Sequence, residues 1–163
     1  MVWRTEAVGQ NRAVQIPAKA DYGIRALLTL ANSSTSLSAE HLAEKQGLPP
    51  RFLGAILSDL RRAGLLVSQR GADGGYQLAR PASEITIADA LRAISGPMAG
   101  VRGLRPEAVS YDGAATSLRD VWVAVRAALR NLLEHVTLEQ VASGSLPAVV
   151  TRLTKDPDAW QAR

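Results

Sequence analysis

Apolar positions along the chain recur first at helical spacing, then in two short strand-like runs, then at helical spacing again. Tyr22, Ile24, Leu27, Leu28 and Leu30 predict a helix reaching about Ala31, with Pro17 suited to its first turn. A polar break at 32–36 precedes Ser38, an N-cap flanked by Leu37 and Leu42 at the spacing of a hydrophobic staple. The next helix, Ala39–Gln46, is short and closes at Gly47. After a turn at 47–50, a third helix runs to about Ala63 on the stripe Leu53, Ile56, Leu57 and Leu60. Two short helices across a tight glycine-containing turn make a helix-turn-helix. Residues 65–70 then read as a strand, 71–74 as a turn and 75–80 as the returning strand. Helix, helix, helix and hairpin in that order predict a winged helix. A two-stranded hairpin is marginal alone, so the wing must lean on the helices or on DNA.

Beyond a linker at 81–84, Thr86 caps a fourth helix over 87–94 with Asp89 at the capping-box position, and Ser95, Gly96 and Pro97 stop it. Residues 97–115 lose all periodicity and predict a mobile loop. A long helix is then expected over about 117–135. Leu118, Trp122, Val125, Leu129, Leu132 and Val136 are spaced 4, 3, 4, 3, 4, an a/d seam of almost three heptads. A single buried helix shows the same spacing, but the small wing domain offers little surface to cover it, so dimerisation on a partner helix is expected. Val121, Ala128 and Leu133 widen the apolar face. Thr137 predicts a last short helix through Val141, and 143–163 reads as a polar tail with a helical turn at 149–153. The expected plan is mainly α: a leader at 1–13, a winged helix-turn-helix domain at 14–96, the loop at 97–115, a dimerisation region at 116–142 and the tail. The stretch beginning at Val14 behaves like the opening of a domain. A valine start codon there would leave the leader untranslated, and native protein with its N-terminus near Met1 by mass spectrometry would overturn that expectation.

Composition narrows the chemistry. The chain has 163 residues, 47% hydrophobic but only 4% aromatic, so its core must be built of Leu, Val, Ile and Ala. The net charge of +4 suits an anionic partner without demanding one. There is no cysteine, which excludes disulfides, thiol switches and thiolate-held zinc or iron–sulfur clusters. No apolar run approaches a membrane span, and the first 14 residues lack the apolar stretch of a signal peptide, so a cytoplasmic protein is expected.

The face of the third helix opposite its core stripe carries Arg51, Gly54, Ala55, Ser58 and Arg62. In a helix-turn-helix the N-terminal half of the second helix enters the major groove, so Arg51 is placed to reach base edges. Its first-turn position is unfavourable to the helix dipole, which points to a functional reason for it. Arg61 and Arg62 lie where phosphates are contacted, and equally where arginines complement a helix C-terminus. The wing carries Arg70 beside Gly71, Gly74 and Gly75, and an arginine on a thin ribbon can enter a minor groove. Tyr76 either donates its hydroxyl to a phosphate or packs under the wing. The helix starts at Ser38 and Pro50 offer backbone donors to phosphate.

These segments resemble the Rrf2 family of bacterial regulators, which includes an iron–sulfur cluster regulator, a nitric-oxide-sensing repressor and a cysteine-metabolism repressor. The likeness covers about residues 14–142. It rests on the run from Ile16 to Leu27, on Arg51, Phe52 and Leu53 with Ile56 and Leu57, on Ala63 to Leu66, on the gapless wing motif from Ser68 to Arg80, and on Glu84 to Ile87. The resemblance implies a homodimer through the long helix acting on a palindromic operator, most simply as a repressor, with Arg70 as the minor-groove residue. Two departures matter. Positions that are polar base readers in some members are here Gly54 and Ala55, and the 98–115 loop lacks the three cysteines of cluster-binding members. Asp21 stands where some members supply an acidic ligand, but a lone carboxylate reads better as a surface or inter-subunit contact. His41 and His135 lie on separate helices and make no metal spacing. No cofactor is therefore expected, and the signal must be a small molecule, a partner protein or none. The 98–115 loop and Trp122 are the candidate lining of an effector pocket.

No nucleophile–base pair, paired carboxylates or phosphate loop occurs in a recognisable frame, so an enzyme is not expected. The competing reading is a dimeric interaction or effector-sensing adaptor that has lost DNA binding, suggested by Gly54 and Ala55.

Overall fold

The computed structural model describes residues 15–71 and 74–161. The leader at 1–13 and the start at Val14 lie outside the described residues, as do Ala72 and Asp73 of the wing turn. Among the described residues, seven α-helices and one hairpin are arranged in the order α1 (Ala18–Ala31), α2 (Ala39–Gln46), α3 (Pro50–Arg62), β1 (Leu66–Gln69), β2 (Gly75–Leu78), α4 (Ile87–Ser95), α5 (Leu118–Leu133), α6 (Leu138–Ser143) and α7 (Ala148–Thr154).

Local chemistry sets most of these boundaries. The Ser38 side chain accepts from the His41 amide at 3.1 Å, and Gly47 closes α2 in the left-handed region at φ 64°. Thr86 and Asp89 form a full capping box at the start of α4, and Thr137 and Gln140 repeat it at α6. Leu27, Leu42, Leu53, Ile56, Leu57, Leu60, Leu66 and Ile85 are buried in one core, each burial worth roughly 1.5–3 kcal/mol. At Gly23 an added Cβ would lie 2.2 Å from Ile94 Cδ1 and 3.0 Å from Ile56 Cγ2, so this glycine lets α1 approach α3 and α4.

The hairpin is antiparallel, registered from Leu66 opposite Leu78 to Gln69 opposite Gly75. It leans on the segment before α2: the Leu37 amide donates to the Tyr76 carbonyl at 3.1 Å, and the Tyr76 amide returns the bond to Leu37 at 2.8 Å. The wing is thus tied to the helix-turn-helix by backbone pairing.

Three sequence expectations change. The long helix stops at Leu133, and Val136 is buried in the chain's own core region, 5% exposed, rather than continuing the seam. The first amides of a helix have no intrahelical acceptor, and here the Val136 carbonyl takes the Ile87 amide of α4 at 2.8 Å. The Leu138 amide reaches Ile85 in turn at 2.9 Å, and the Leu138 side chain is fully buried among residues of α1 to α4. Second, the stretch at 97–115 is not a featureless loop. It carries 3₁₀ turns at Pro106–Ala108 and Gly113–Ala115, buries Pro106 and Val109, and packs along α5. The Trp122 indole donates to the Tyr111 hydroxyl at 3.1 Å, and Arg126 pairs with Glu107 at 2.5 Å. Third, the tail holds a full helix, α7, and a 3₁₀ turn at Pro157–Trp160. No helix among the described residues is long and apolar enough to cross a membrane.

Candidate nucleic-acid interface

Helix α3 buries Leu53, Ile56, Leu57 and Leu60 completely, which turns the opposite face outward. On that face Arg51, Ala55 and Arg62 are exposed, and Gly54 and Ser58 are half-buried. The fold leaves open space around Gly54, where an added Cβ would meet nothing within 4 Å. Arg51 forms no ion pair among the described residues and stands in the first turn, beyond the turn at 47–49.

At the other end of α3 the charges are partly committed. Asp59 binds Lys19 of α1 at 2.6 Å and also takes a close bond from Arg62. Hydrogen bonds from Lys19 and then Arg62 hold the Asp59 carboxyl below its ordinary range. Arg62 still leaves 71% of its side chain exposed. Arg61 donates to Ser68 Oγ at 3.3 Å and so links α3 to the wing.

Backbone donors at the helix starts are fewer than the sequence suggests. Pro50 has no amide to offer. The Phe52 and Leu53 amides already donate to the Pro49 carbonyl, leaving the Arg51 amide in that turn. The Ser38 oxygen is engaged as a cap, so its hydroxyl reaches a phosphate only as a donor.

In the wing, Arg70 is exposed and forms no ion pair among the described residues. The neighbouring glycines have an internal explanation. A Cβ on Gly75, whose φ is 152°, would lie 2.5 Å from the Leu37 carbonyl oxygen, and one on Gly74 would lie 2.7 Å from that of Gln69. Of the two readings of Tyr76, the ring packs against the core. Sequence reasoning missed the tie between Lys19 and Asp59, and an aromatic contact of Tyr22 with Phe52 at 5.9 Å that Arg25 covers from 5.8 Å. Arg25 also pairs with Asp21 at 3.8 Å. The only available signal was the basic count of α1, which does not specify partners on α3.

Helix α5 has no buried residue in the single chain. Leu118, Trp122, Leu129 and Leu132 are half-covered, while Val121 and Val125 are 50% and 39% exposed.

A family profile named Rrf2 and described as iron-dependent transcriptional regulator matches residues 16–144. The chain is 48% identical over 151 residues to Rv1287 of Mycobacterium tuberculosis, named as an HTH-type transcriptional regulator, covering 91% of this chain and 94% of that one. It is 33% identical over 132 residues to the HTH-type transcriptional regulator CymR of Bacillus subtilis, covering 80% and 91%. The solved structure of that CymR, the global cysteine regulator of its organism, superposes with a TM-score of 0.67 over 79% of this chain and 96% of that one. IscR of T. potens superposes with a TM-score of 0.61 at 28% identity, over 91% and 93%. The winged-helix fold is common to all three chains. The residues here do not fit a thiolate-held iron centre: the sequence has no cysteine, and 97–115 supplies neither thiol nor imidazole. No group of three or more metal-ligating side chains converges among the described residues.

Proposed function

Because the chain belongs to the Rrf2 family of winged-helix transcription regulators, we propose that it acts as a homodimer on a palindromic operator, as a repressor that uses no iron–sulfur cluster. The observation that carries this reading is α3: one face is wholly consumed by the core, while the Arg51, Ala55 and Ser58 face is left to a partner. Arg51 reaches base edges in the major groove, Arg62 and the Arg51 amide contact phosphate, and Arg70 enters the adjacent minor groove. Leu118, Trp122, Val125, Leu129 and Leu132 of α5 pair with their copies in the second subunit, bringing two such heads to the two half-sites.

The test is recovery of genomic DNA bound by the protein, followed by anisotropy titrations on the recovered site. Affinity should fall steeply with salt, by roughly 10³–10⁵ between about 50 and 200 mM if some 6–10 phosphates are contacted. Arg70→Ala should weaken binding by about 1–3 kcal/mol without changing thermal stability. Failure to recover any DNA would favour the dimeric adaptor instead, a reading that the apolar Gly54 and Ala55 pair supports.

A further inference from the structure

Between the end of α4 and the middle of α5 lies an open cleft of about 510 Å³, within the range of small-molecule sites. Its lining includes Arg92 of α4, Arg105 of the 97–115 segment, and Arg126 and Arg130 one turn apart on α5, against the single carboxylate of Glu107. Glu107 is already held by Arg126, and Glu134 outside the cleft is shared by Arg92 and Arg130. Arg105 has no ion pair among the described residues. Both glutamates are held below the ordinary carboxylate range, Glu107 by its own backbone hydrogen bond and then Arg126, Glu134 by Arg92 and then Arg130. Both therefore stay ionised at neutral pH, and the cleft is still left with an excess of guanidinium charge.

We propose that this cleft binds a small oxyanion carrying two or more negative charges, a polycarboxylate or a phosphorylated metabolite. Arg92, Arg126 and Arg130 share only Glu107 and Glu134 at the cleft, and Arg105 faces it without an ion pair among the described residues, so the site holds more guanidinium groups than neighbouring carboxylates and an added anion would answer the excess. Guanidinium forks match carboxylate and phosphate oxygens in pairs. Gly96, Pro97 and Met98 give the rim an apolar edge against which a short carbon skeleton can rest. Occupancy would tie α5 to α4, and α4 packs on both α1 and α3. The assignment does not depend on DNA binding, since it concerns a different surface.

The full chain is titrated by calorimetry with citrate and, separately, with pyrophosphate, ionic strength being held constant with sodium chloride. Melting temperature is followed in parallel. One saturable event per chain is expected with at least one of them, and the one that binds distinguishes a carboxylate from a phosphate site. Arg105→Gln, exposed and free of ion pairs, should keep its circular dichroism spectrum and bind at least tenfold more weakly. The Arg51→Gln/Arg70→Gln double variant should bind within twofold of the parent. The proposal is overturned if neither anion gives saturable heat or a rise in Tm, or if Arg105→Gln binds as the parent does. Loss confined to the Arg51→Gln/Arg70→Gln protein would also overturn it, placing the ion on the α3 and wing surface.

Discussion

A methyl group at Gly75 would press on the Leu37 carbonyl from 2.5 Å with the backbone at φ 152°. The contacting atoms, in the Leu37 carbonyl and the Ser38 amide, are main chain and cannot rotate away. Gly75→Ala should therefore cost about 1–3 kcal/mol in denaturant unfolding, by straining the bridge between wing and helix-turn-helix. Gly75 is visible in the sequence as a wing glycine, but its purpose is not, because Leu37 is remote along the chain and nothing local marks it as its neighbour. Caps behaved differently. Ser38, Thr86 with Asp89, and Thr137 could be placed from the sequence because each bonds only to residues within its own first turn. Asp59 supports a prediction about pH. Its folded-state carboxyl is held low by Lys19 and Arg62, so its stabilisation is present above the ordinary aspartate range and is lost as pH falls through the lowered value. The difference in Tm between the parent and Asp59→Asn should be full at neutral pH and close in strong acid.

Helix α5 is amphipathic with its apolar side only half-covered, the face on which the proposed pairing with a second copy rests. Val125 is 39% exposed in the single chain, so Val125→Glu should leave each subunit folded by circular dichroism. It should also shift sedimentation from dimer to monomer. A dimer that persists unchanged would move the proposed interface elsewhere. The heptad spacing located this helix because periodicity is a local property. Its end was misplaced by one position of the repeat, since Val136 keeps the spacing while its carbonyl is drawn to Ile87. The stretch at 97–115 escaped the sequence for a related reason. Its order comes from pairing with α5, through Tyr111 with Trp122 and Glu107 with Arg126, and such pairs leave no periodic trace.

Across the molecule, the core reached by α1 to α4 is completed from beyond α5. Leu138 is fully buried in it, and α6 packs on α1. Leu138→Ala should accordingly cost about 2–5 kcal/mol, as for any buried leucine in the main core, measured by chemical denaturation. A boundary at 96, natural from the sequence, cuts through this arrangement. The backbone pairing of Val136 and Leu138 with Ile87 and Ile85 makes the wing-bearing body discontinuous in sequence, with α5 carried on an insertion that leaves after the end of α4 and returns beside its start. The reading head cannot be excised by truncation or grafted as a single contiguous cassette, because shortening the chain after α4 removes a piece of its own interior. A transplantable head would have to carry residues 15–95 joined by a short linker to 136–143, with α5 deleted from between them.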